Sequence, residues 1–250
     1  AIELRGFEAL TRWNHPTRGP IPPSIFIPIA EESGLIIELS DLVLVRACRQ
    51  LRLWQEIDPS LRDLKLQVNM SAADLAHSAL FERVARALRS THFTPHLLTL
   101  ELTESILMTG VESALPALDA LRRLGVSLAI DDFGTGYSSL SYLSTLPIDS
   151  LKIDRSFVHG MRLGSKDAEI VRAIVSLGAT LGKSVVAEGI ETVSQLAQLR
   201  ELGCEHGQGF HLSQPLTAAD AQVLLEMIVA EGRERHHSSF DTGMMPLMRH

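Results

Sequence analysis

Two adjacent carboxylates, Asp131 and Asp132, follow a short apolar run at residues 126–130. The run predicts a buried strand. The loop after it contains Gly134 and Gly136, which can turn closely around a ligand. Neighbouring carboxylates repel each other, so a proton or a cation between them is favourable. An isolated Asp-Asp pair is more often a solvated turn with a helix-capping Asp, so a cation site requires that other acidic groups meet at the same place.

Other strand-like segments also end in polar side chains. Seven such segments alternate with helical ones, which predicts a parallel sheet. The polar or ionisable residues at or near their C-terminal ends are Glu8, Asn69, Glu101, Asp131 with Asp132, Lys152, Glu188 and Gln208. An open doubly wound sheet gathers ligands from two or three strands, whereas a closed barrel brings every strand end to one face. We therefore predict a TIM-like (β/α)8 barrel whose eighth strand lies upstream of Ala1.

The helices between these strands are predicted from caps and from apolar spacing. Asp41 is a candidate N-cap for a long helix, and Thr217 is a candidate N-cap for the last one. Gly125 and Gly182 are candidate C-terminal ends. The remaining predicted helices cover residues 24–32, 75–88, 111–124, 167–181 and 193–202. Because the chain is polar and without period after about residue 230, we expect residues 1–231 to form the barrel and residues 232–250 a disordered tail.

A cluster of five carboxylates, one Asn and one Lys suits a hard divalent cation such as Mg²⁺ or Mn²⁺. Two ions that share a bridging Asp balance the negative charge better than one, and a two-metal site suits hydrolysis of a phosphodiester. Lys152 would then orient the attacking water or stabilise charge on the phosphoryl oxygens. Arg12 is a candidate phosphate ligand.

Each residue also has a simpler explanation when taken alone. Glu8 is then a surface residue of a strand, and Asn69 belongs to a helix-capping turn. Lys152 alternates with apolar neighbours and is then the solvent-facing position of a half-buried strand. Glu104 and Glu188 would then lie near the N-terminal ends of helices, where a negative charge is stabilising.

Composition narrows the function classes. The chain has 250 residues, 45% of them hydrophobic, and a formal net charge of −7. This charge argues against nonspecific binding to DNA or to anionic lipid. Cys48 and Cys204 are too far apart in sequence for a metal pair and are interpreted as thiols of a reduced, cytoplasmic compartment. No apolar run has the roughly 18 residues of a membrane span. The early strand-like sequence suggests a fragment of a longer protein, and one alternative is the cytoplasmic part of a membrane-bound protein.

The motifs together resemble those of the EAL-domain cyclic-di-GMP phosphodiesterases. Glu8-Ala9-Leu10 followed by Arg12-Trp13 resembles the signature that names the family, and the resemblance runs from about residue 4 to residue 216. The further motifs, in the order of the family, are Val68-Asn69-Met70-Ser71, Glu101-Leu102-Thr103-Glu104, Asp131-Asp132-Phe133-Gly134, Leu151-Lys152-Ile153-Asp154, Glu188-Gly189-Ile190-Glu191 and Gln208-Gly209.

This resemblance implies a TIM-like barrel with one antiparallel strand and hydrolysis of cyclic di-GMP to linear pGpG with Mg²⁺ or Mn²⁺. It implies metal ligands at Glu8, Asn69, Glu101, Asp131, Asp132 and Glu188, and catalytic roles for Lys152, Glu188 and Glu8. The positions that match substrate contacts or the outer part of the site are Leu10, Arg12, Asp154, Glu191, Gln208, Phe210 and Pro215. Glu104 matches the residue that steadies the loop at residues 132–140, which in the family connects the metal site to a homodimer contact. Sensory or cyclase domains elsewhere in a longer chain are also implied.

Two other functions remain open from the sequence. A catalytically silent receptor would bind cyclic di-GMP and signal through a partner or a neighbouring domain, but such receptors usually lose metal ligands. A pure dimerisation scaffold would leave the clustered carboxylates unexplained. A first strand that is absent, rather than upstream, would impair folding or binding even with every site residue present.

Overall fold

A computed structural model describes residues 2–104, 111–136 and 140–241. Its strands are β1 (Gly6–Ala9), β2 (Trp13–His15), β3 (Gly19–Ile21), β4 (Lys65–Asn69), β5 (Leu98–Thr103), β6 (Ser127–Phe133), β7 (Ser150–Ile153), β8 (Ser184–Ala187) and β9 (His206–Gly207). Its α-helices are α1 (Pro23–Glu32), α2 (Ile36–Gln55), α3 (Ala72–Ala76), α4 (Leu80–Thr91), α5 (Val111–Leu124), α6 (Leu140–Thr145), α7 (Arg155–Gly160), α8 (Lys166–Leu181), α9 (Val193–Glu201) and α10 (Ala218–Asp241).

Seven of these strands form one curled sheet in the order β1-β4-β5-β6-β7-β8-β9, and all neighbours are parallel. Helices follow the strands as in a TIM-like barrel, which confirms the predicted fold class. Within the described residues, β1 and β9 are the two edges of this sheet. The antiparallel pairing in this part of the chain is the small hairpin β2–β3.

The central strands are buried on both faces, as expected of a parallel sheet covered by helices. Leu98, Leu100 and Leu102 of β5 are at most 2% exposed, and Leu151 and Ile153 of β7 are fully buried. A continuous apolar core therefore surrounds the strands, and their C-terminal ends are held rigidly on one side of it.

The helices agree with the predictions except at some boundaries. The apolar face predicted for α2 is buried, including Leu44 and Cys48, but the helix begins at Ile36, so Asp41 lies inside it and is not its N-cap. The predicted helix 75–88 is two helices, because the chain leaves helical geometry at His77. Gly182 ends α8 with φ 64°, and the hydroxyl of Thr217 accepts a hydrogen bond from Asp220 N at the start of α10.

The last helix is longer than the sequence indicates. It continues to Asp241, so the boundary predicted at residue 231 falls inside a helix, and residues 242–250 lie outside the described part. None of the helices described is long and apolar enough to cross a membrane.

Candidate active site

A fully buried lysine stands at the centre of the strand ends. The Nζ atom of Lys152 lies 2.7 Å from Glu188 Oε1, 2.8 Å from Glu101 Oε1, 3.2 Å from Asp131 Oδ1 and 3.8 Å from Glu8 Oε2. These acids come from β1, β5 and β6 and from the segment after β8. The side chain of Lys152 has no exposed surface, so its interpretation as the solvent-facing position of a half-buried strand is wrong.

Two amide side chains hold the carboxylate of Glu8. Asn69 Nδ2 donates to Glu8 Oε1 over 2.8 Å, which leaves the carbonyl oxygen of Asn69 as its potential metal ligand. Gln208 Nε2 donates to Glu8 Oε2 and to Glu188 Oε1, both over 2.9 Å. Gln208 follows β9, and Glu8 lies on β1, so the amide of Gln208 joins the two edges of the sheet. This contact to two carboxylates was not anticipated from the sequence.

The adjacent carboxylates of the sequence motif do approach a third one. Asp131, Asp132 and Glu188 each have a carboxylate oxygen within 4.8 Å of the others. Asp132 has a φ of 53°, a conformation that is uncommon outside glycine, and the pairing register between β6 and β7 shifts at this point. The irregular backbone allows two consecutive carboxylates to serve one site, although side chains normally alternate between the two faces of a strand.

The electrostatics of this cluster favour the binding of an additional positive charge. Burial raises the pKa of Glu101 to about 8 against the opposing effect of Lys152, and burial raises the pKa of Glu188 to about 7. Burial and the charge of Asp131 raise the pKa of Asp132 to about 6. Burial alone would lower the pKa of Lys152, but the surrounding carboxylates raise it above its ordinary value. Lys152 therefore stays an ammonium at neutral pH, while several of the acids retain protons.

The residues present fit one or two divalent cations. All the donors are carboxylate or amide oxygens, which are the ligands preferred by Mg²⁺ and Mn²⁺. Glu101 Oε2 is buried and has no hydrogen-bond partner among the described residues, which is costly unless a cation completes its environment. Ligand oxygens around Mg²⁺ are separated by about 3–4 Å, a spacing compatible with the group of Asp131, Asp132 and Glu188.

Glu104 lies beside the loop that follows β6. Its Oε2 accepts hydrogen bonds from Gly134 N over 2.9 Å and from Gly136 N over 3.1 Å. A Cβ added to Gly136 would lie 2.9 Å from Glu104 Cδ, so the glycine is needed for this approach. The contacts fit a loop-stabilising residue, although residues 137–139 of the predicted loop lie outside the described part.

The other predicted substrate positions differ in their surroundings. The carboxyl of Asp154 interacts with that of Asp132, and hydrogen bonds from Ser156 hold the pKa of Asp154 below its ordinary value even though burial opposes this. Glu191 is directed to His159, with 3.6 Å between Oε2 and Nδ1. The remaining four positions, Leu10, Arg12, Phe210 and Pro215, are exposed.

The turn after Asn69 holds residues whose importance sequence reasoning missed. Ser71 and Asp74 form a capping box at α3, as the simpler explanation of this turn proposes. However, Asp74 is fully buried and pairs with Arg83 of α4 over 2.8 Å. Arg83 occurs three residues after Leu80, on the apolar face of its helix, and a charged residue at such a position requires a buried partner. That pattern could have identified it.

The sequence matches the EAL domain over residues 2–215. The chain belongs to the EAL domain family.

Two curated relatives have longer chains than this EAL domain. The bifunctional diguanylate cyclase/cyclic di-GMP phosphodiesterase MucR of Pseudomonas aeruginosa is 48% identical over 213 residues, which are 85% of this chain and 31% of MucR. The cyclic di-GMP phosphodiesterase NbdA of the same organism is 46% identical over 223 residues, 89% of this chain and 28% of NbdA. The EAL domain described here therefore spans about a third of the length of these relatives.

A solved structure has the same fold. The PaMucR phosphodiesterase in complex with c-di-GMP superimposes with a TM-score of 0.82 and 47% sequence identity, and the match covers 87% of each chain.

Proposed function

We propose that this EAL domain hydrolyses cyclic di-GMP to linear pGpG with the help of two Mg²⁺ or Mn²⁺ ions. The observation that carries the proposal is the complete cluster around Lys152, which combines four carboxylates within 4 Å of one ammonium with the neighbouring Asp132. The names of MucR and NbdA supply the substrate class, and the c-di-GMP complex of PaMucR supports it.

The proposed metal ligands are Glu8, Asn69, Glu101, Asp131, Asp132 and Glu188. Bound divalent ions would neutralise these acids and polarise the phosphoryl oxygens of the substrate. Their binding releases the protons that Glu101, Glu188 and Asp132 hold near neutral pH, because ligands bind in the deprotonated form.

In the proposed reaction a water oxygen forms a bond to phosphorus while the bond from phosphorus to the 3′ oxygen breaks. The water loses a proton, and the departing 3′ oxygen gains one, so the product is a linear dinucleotide with a 5′ phosphate. Glu188 is the proposed base, since its carboxylate lies among the proposed metal ligands and 2.7 Å from Lys152 Nζ. Lys152 remains protonated and so serves as a hydrogen-bond donor that orients the water and stabilises negative charge.

The exposed positions surrounding the cluster are proposed to contact the nucleotide. Arg12 would bind a phosphate, Leu10 and Phe210 offer apolar surface to the bases, and Pro215 and Glu191 would border the same pocket. A homodimer is a further proposal. A cytoplasmic setting is another, and it is supported by the two buried free thiols, Cys48 and Cys204. Size-exclusion chromatography with light scattering tests the dimer.

The test is incubation of the purified chain with cyclic di-GMP and either Mg²⁺ or Mn²⁺, followed by chromatography of the nucleotides. Glu8→Gln removes a charged metal ligand with little change in shape, and Glu3→Gln is a matched control on an exposed residue that pairs with Arg5. We expect pGpG from the wild type and from Glu3→Gln but not from Glu8→Gln. Bound but intact cyclic di-GMP would favour the receptor, and an absence of both binding and hydrolysis would overturn the proposal.

A further inference from the structure

The candidate metal ligand Asn69 is followed by a turn that is fixed from outside the sheet. Met70 N donates to Glu101 O over 2.9 Å, which ties the turn to the neighbouring strand. Ser71 N and Ser71 Oγ both donate to Asp74 Oδ2, over 3.1 and 2.7 Å. In return, Asp74 N donates to Ser71 Oγ over 3.1 Å. Ser71, two residues beyond Asn69, is thus held by hydrogen bonds to both its backbone amide and its side chain.

The carboxylate of Asp74 is itself held by two other helices. Ser40 Oγ of α2 donates to Asp74 Oδ2 over 2.6 Å, and Arg83 Nη2 of α4 donates to Oδ1 over 2.8 Å. Arg83 is anchored in turn by Asp41 and by the carbonyl oxygen of Ile37, both on α2. Asp74 is 0% exposed, so the turn is connected to three helices through one carboxylate that water does not reach.

We propose that Asp74 and Ser71 are positioning residues of the metal site and act through Asn69. Ser71 fixes the backbone from which the Asn69 side chain projects, and Asn69 in turn donates to Glu8. This inference rests on the proposed metal-dependent function. Partners that orient metal ligands commonly change metal affinity about 10- to 100-fold when they are removed, whereas a helix cap that only supports folding changes stability without changing metal affinity.

The first experiment compares four variants of the full chain by calorimetric titration with Mn²⁺ and with Mg²⁺, well below the melting temperature of each. Ser71→Ala removes the cap and the contact to Asp74, and Ser71→Thr retains a capping hydroxyl. Asp74→Asn removes the charge that pairs with Arg83. Arg86→Ala is a control, because Arg86 is an exposed arginine of the same helix.

We expect Ser71→Ala and Asp74→Asn to raise the metal Kd about tenfold or more, with Ser71→Thr within about twofold of the wild type and Arg86→Ala unchanged. kcat should fall more than KM rises at a fixed subsaturating metal concentration. If Asp74→Asn does not fold, the pair Ser71→Ala and Ser71→Thr decides alone. A lower melting temperature with an unchanged metal Kd in Ser71→Ala would overturn the proposal and leave a helix cap only.

A second readout does not need metal or substrate. In the metal-free protein one side-chain amide proton of Asn69 is hydrogen-bonded to Glu8, so Ser71→Ala should accelerate the exchange of that proton with solvent in NMR spectra. If the wild type neither binds metal nor hydrolyses cyclic di-GMP, the proposed function fails. The coupling of Ser71 to Asn69 would still be judged by this measurement, and an unchanged exchange rate would refute it.

Discussion

Two buried cations, Arg83 and Lys152, each pair with more than one carboxylate, and their surroundings differ in charge. Arg83 pairs with Asp74 and with Asp41, and Asp41 keeps 42% of its side chain exposed. Lys152 has four carboxylates within 4 Å, none more than 15% exposed. If all these groups are ionised, the Lys152 cluster has a net charge of −3 and Arg83 with its two acids has a net charge of −1. One of those two acids, Asp41, is partly exposed to water.

The difference separates a fold-supporting ion pair from a site that requires a further cation. Arg83 uses its carboxylates to join α2, α3 and α4, and solvent moderates the remaining charge. The acids around Lys152 are too many for one ammonium. Burial, and after it the charges of neighbouring carboxylates, raises the pKa values of Glu101 and Glu188. Perturbed titration in a buried cluster is typical of functional sites.

The largest effect should come from breaking the Arg83 pair. Arg83→Met leaves Asp74 buried without a cation, and the free energy of unfolding in EDTA should fall by about 3–5 kcal/mol. Urea denaturation measures this, with Arg86→Met as the control. A loss below about 1 kcal/mol would mean that the ion pair of Arg83 contributes no more to stability than an exposed pair does.

Removing the other cation should affect chemistry. Lys152→Met should lower kcat about 10²- to 10³-fold, the usual consequence of losing a donor that stabilises transition-state charge, while KM changes less than about threefold. Lys166→Met, at an exposed lysine, is the control. Steady-state kinetics on cyclic di-GMP at saturating Mg²⁺ tests this, and equal losses in kcat and in affinity would contradict the assigned role.

The excess charge should also make the metal-free protein sensitive to pH. Glu101, Glu188 and Asp132 have raised folded-state pKa values, so their contribution to stability is present below pH 4 and is lost as the pH rises through about 6 to 8. We expect the unfolding free energy in EDTA to fall between pH 5 and pH 8, where these three groups lose their protons in the folded state.

Urea denaturation at several pH values checks this expectation. Glu101→Gln, which is neutral at every pH, should make the decline smaller, and millimolar Mg²⁺ should do the same for the wild type. Glu82→Gln on the exposed side of α4 is the control. A pH-independent midpoint in the metal-free wild type would remove the electrostatic distinction between the two cations.

The smallest effect is expected at the loop beside the cluster. Glu104→Gln keeps the shape of the side chain but weakens the acceptor for Gly134 N and Gly136 N. The apparent Mg²⁺ affinity should fall about threefold to tenfold, since a hydrogen bond to a charged group contributes about 1.5–3 kcal/mol and a neutral one about 1 kcal/mol. Calorimetric titration measures it, and an unchanged affinity would separate the loop from the metal site.

The sequence predicted the strands and the acidic residues at their ends because alternating elements and motif order are local signals. It did not predict the burial of Lys152. Alternation separates the two faces of β7 but does not tell which face water reaches, and at the C-terminal ends of a barrel the interior is polar. The sequence also predicted Asp41 as a helix cap, whereas it pairs with Arg83. An aspartate serves either purpose, so the residue type alone does not distinguish them.

Other features depend on contacts that are distant in sequence. The interaction of Gln208 with Glu8 joins residues 200 positions apart, and no spacing rule links them. The continuation of α10 past Gly232 also contradicts local propensity, because the segment is polar and contains glycine. The roles of the individual site residues stay predictions until variants are measured.

The hydrogen bonds from Gln208 to Glu8 and Glu188 imply that the site is completed late in folding. In a chain emerging from the ribosome, Glu8 precedes the amide donor by 200 residues, and contacts of such separation form late in folding. A nascent chain that has not reached Gln208 has Glu8, Glu101, Asp131 and Glu188 but lacks the group that joins the first to the last. The joined carboxylates of the site therefore depend on the last strand of the sheet being present and folded.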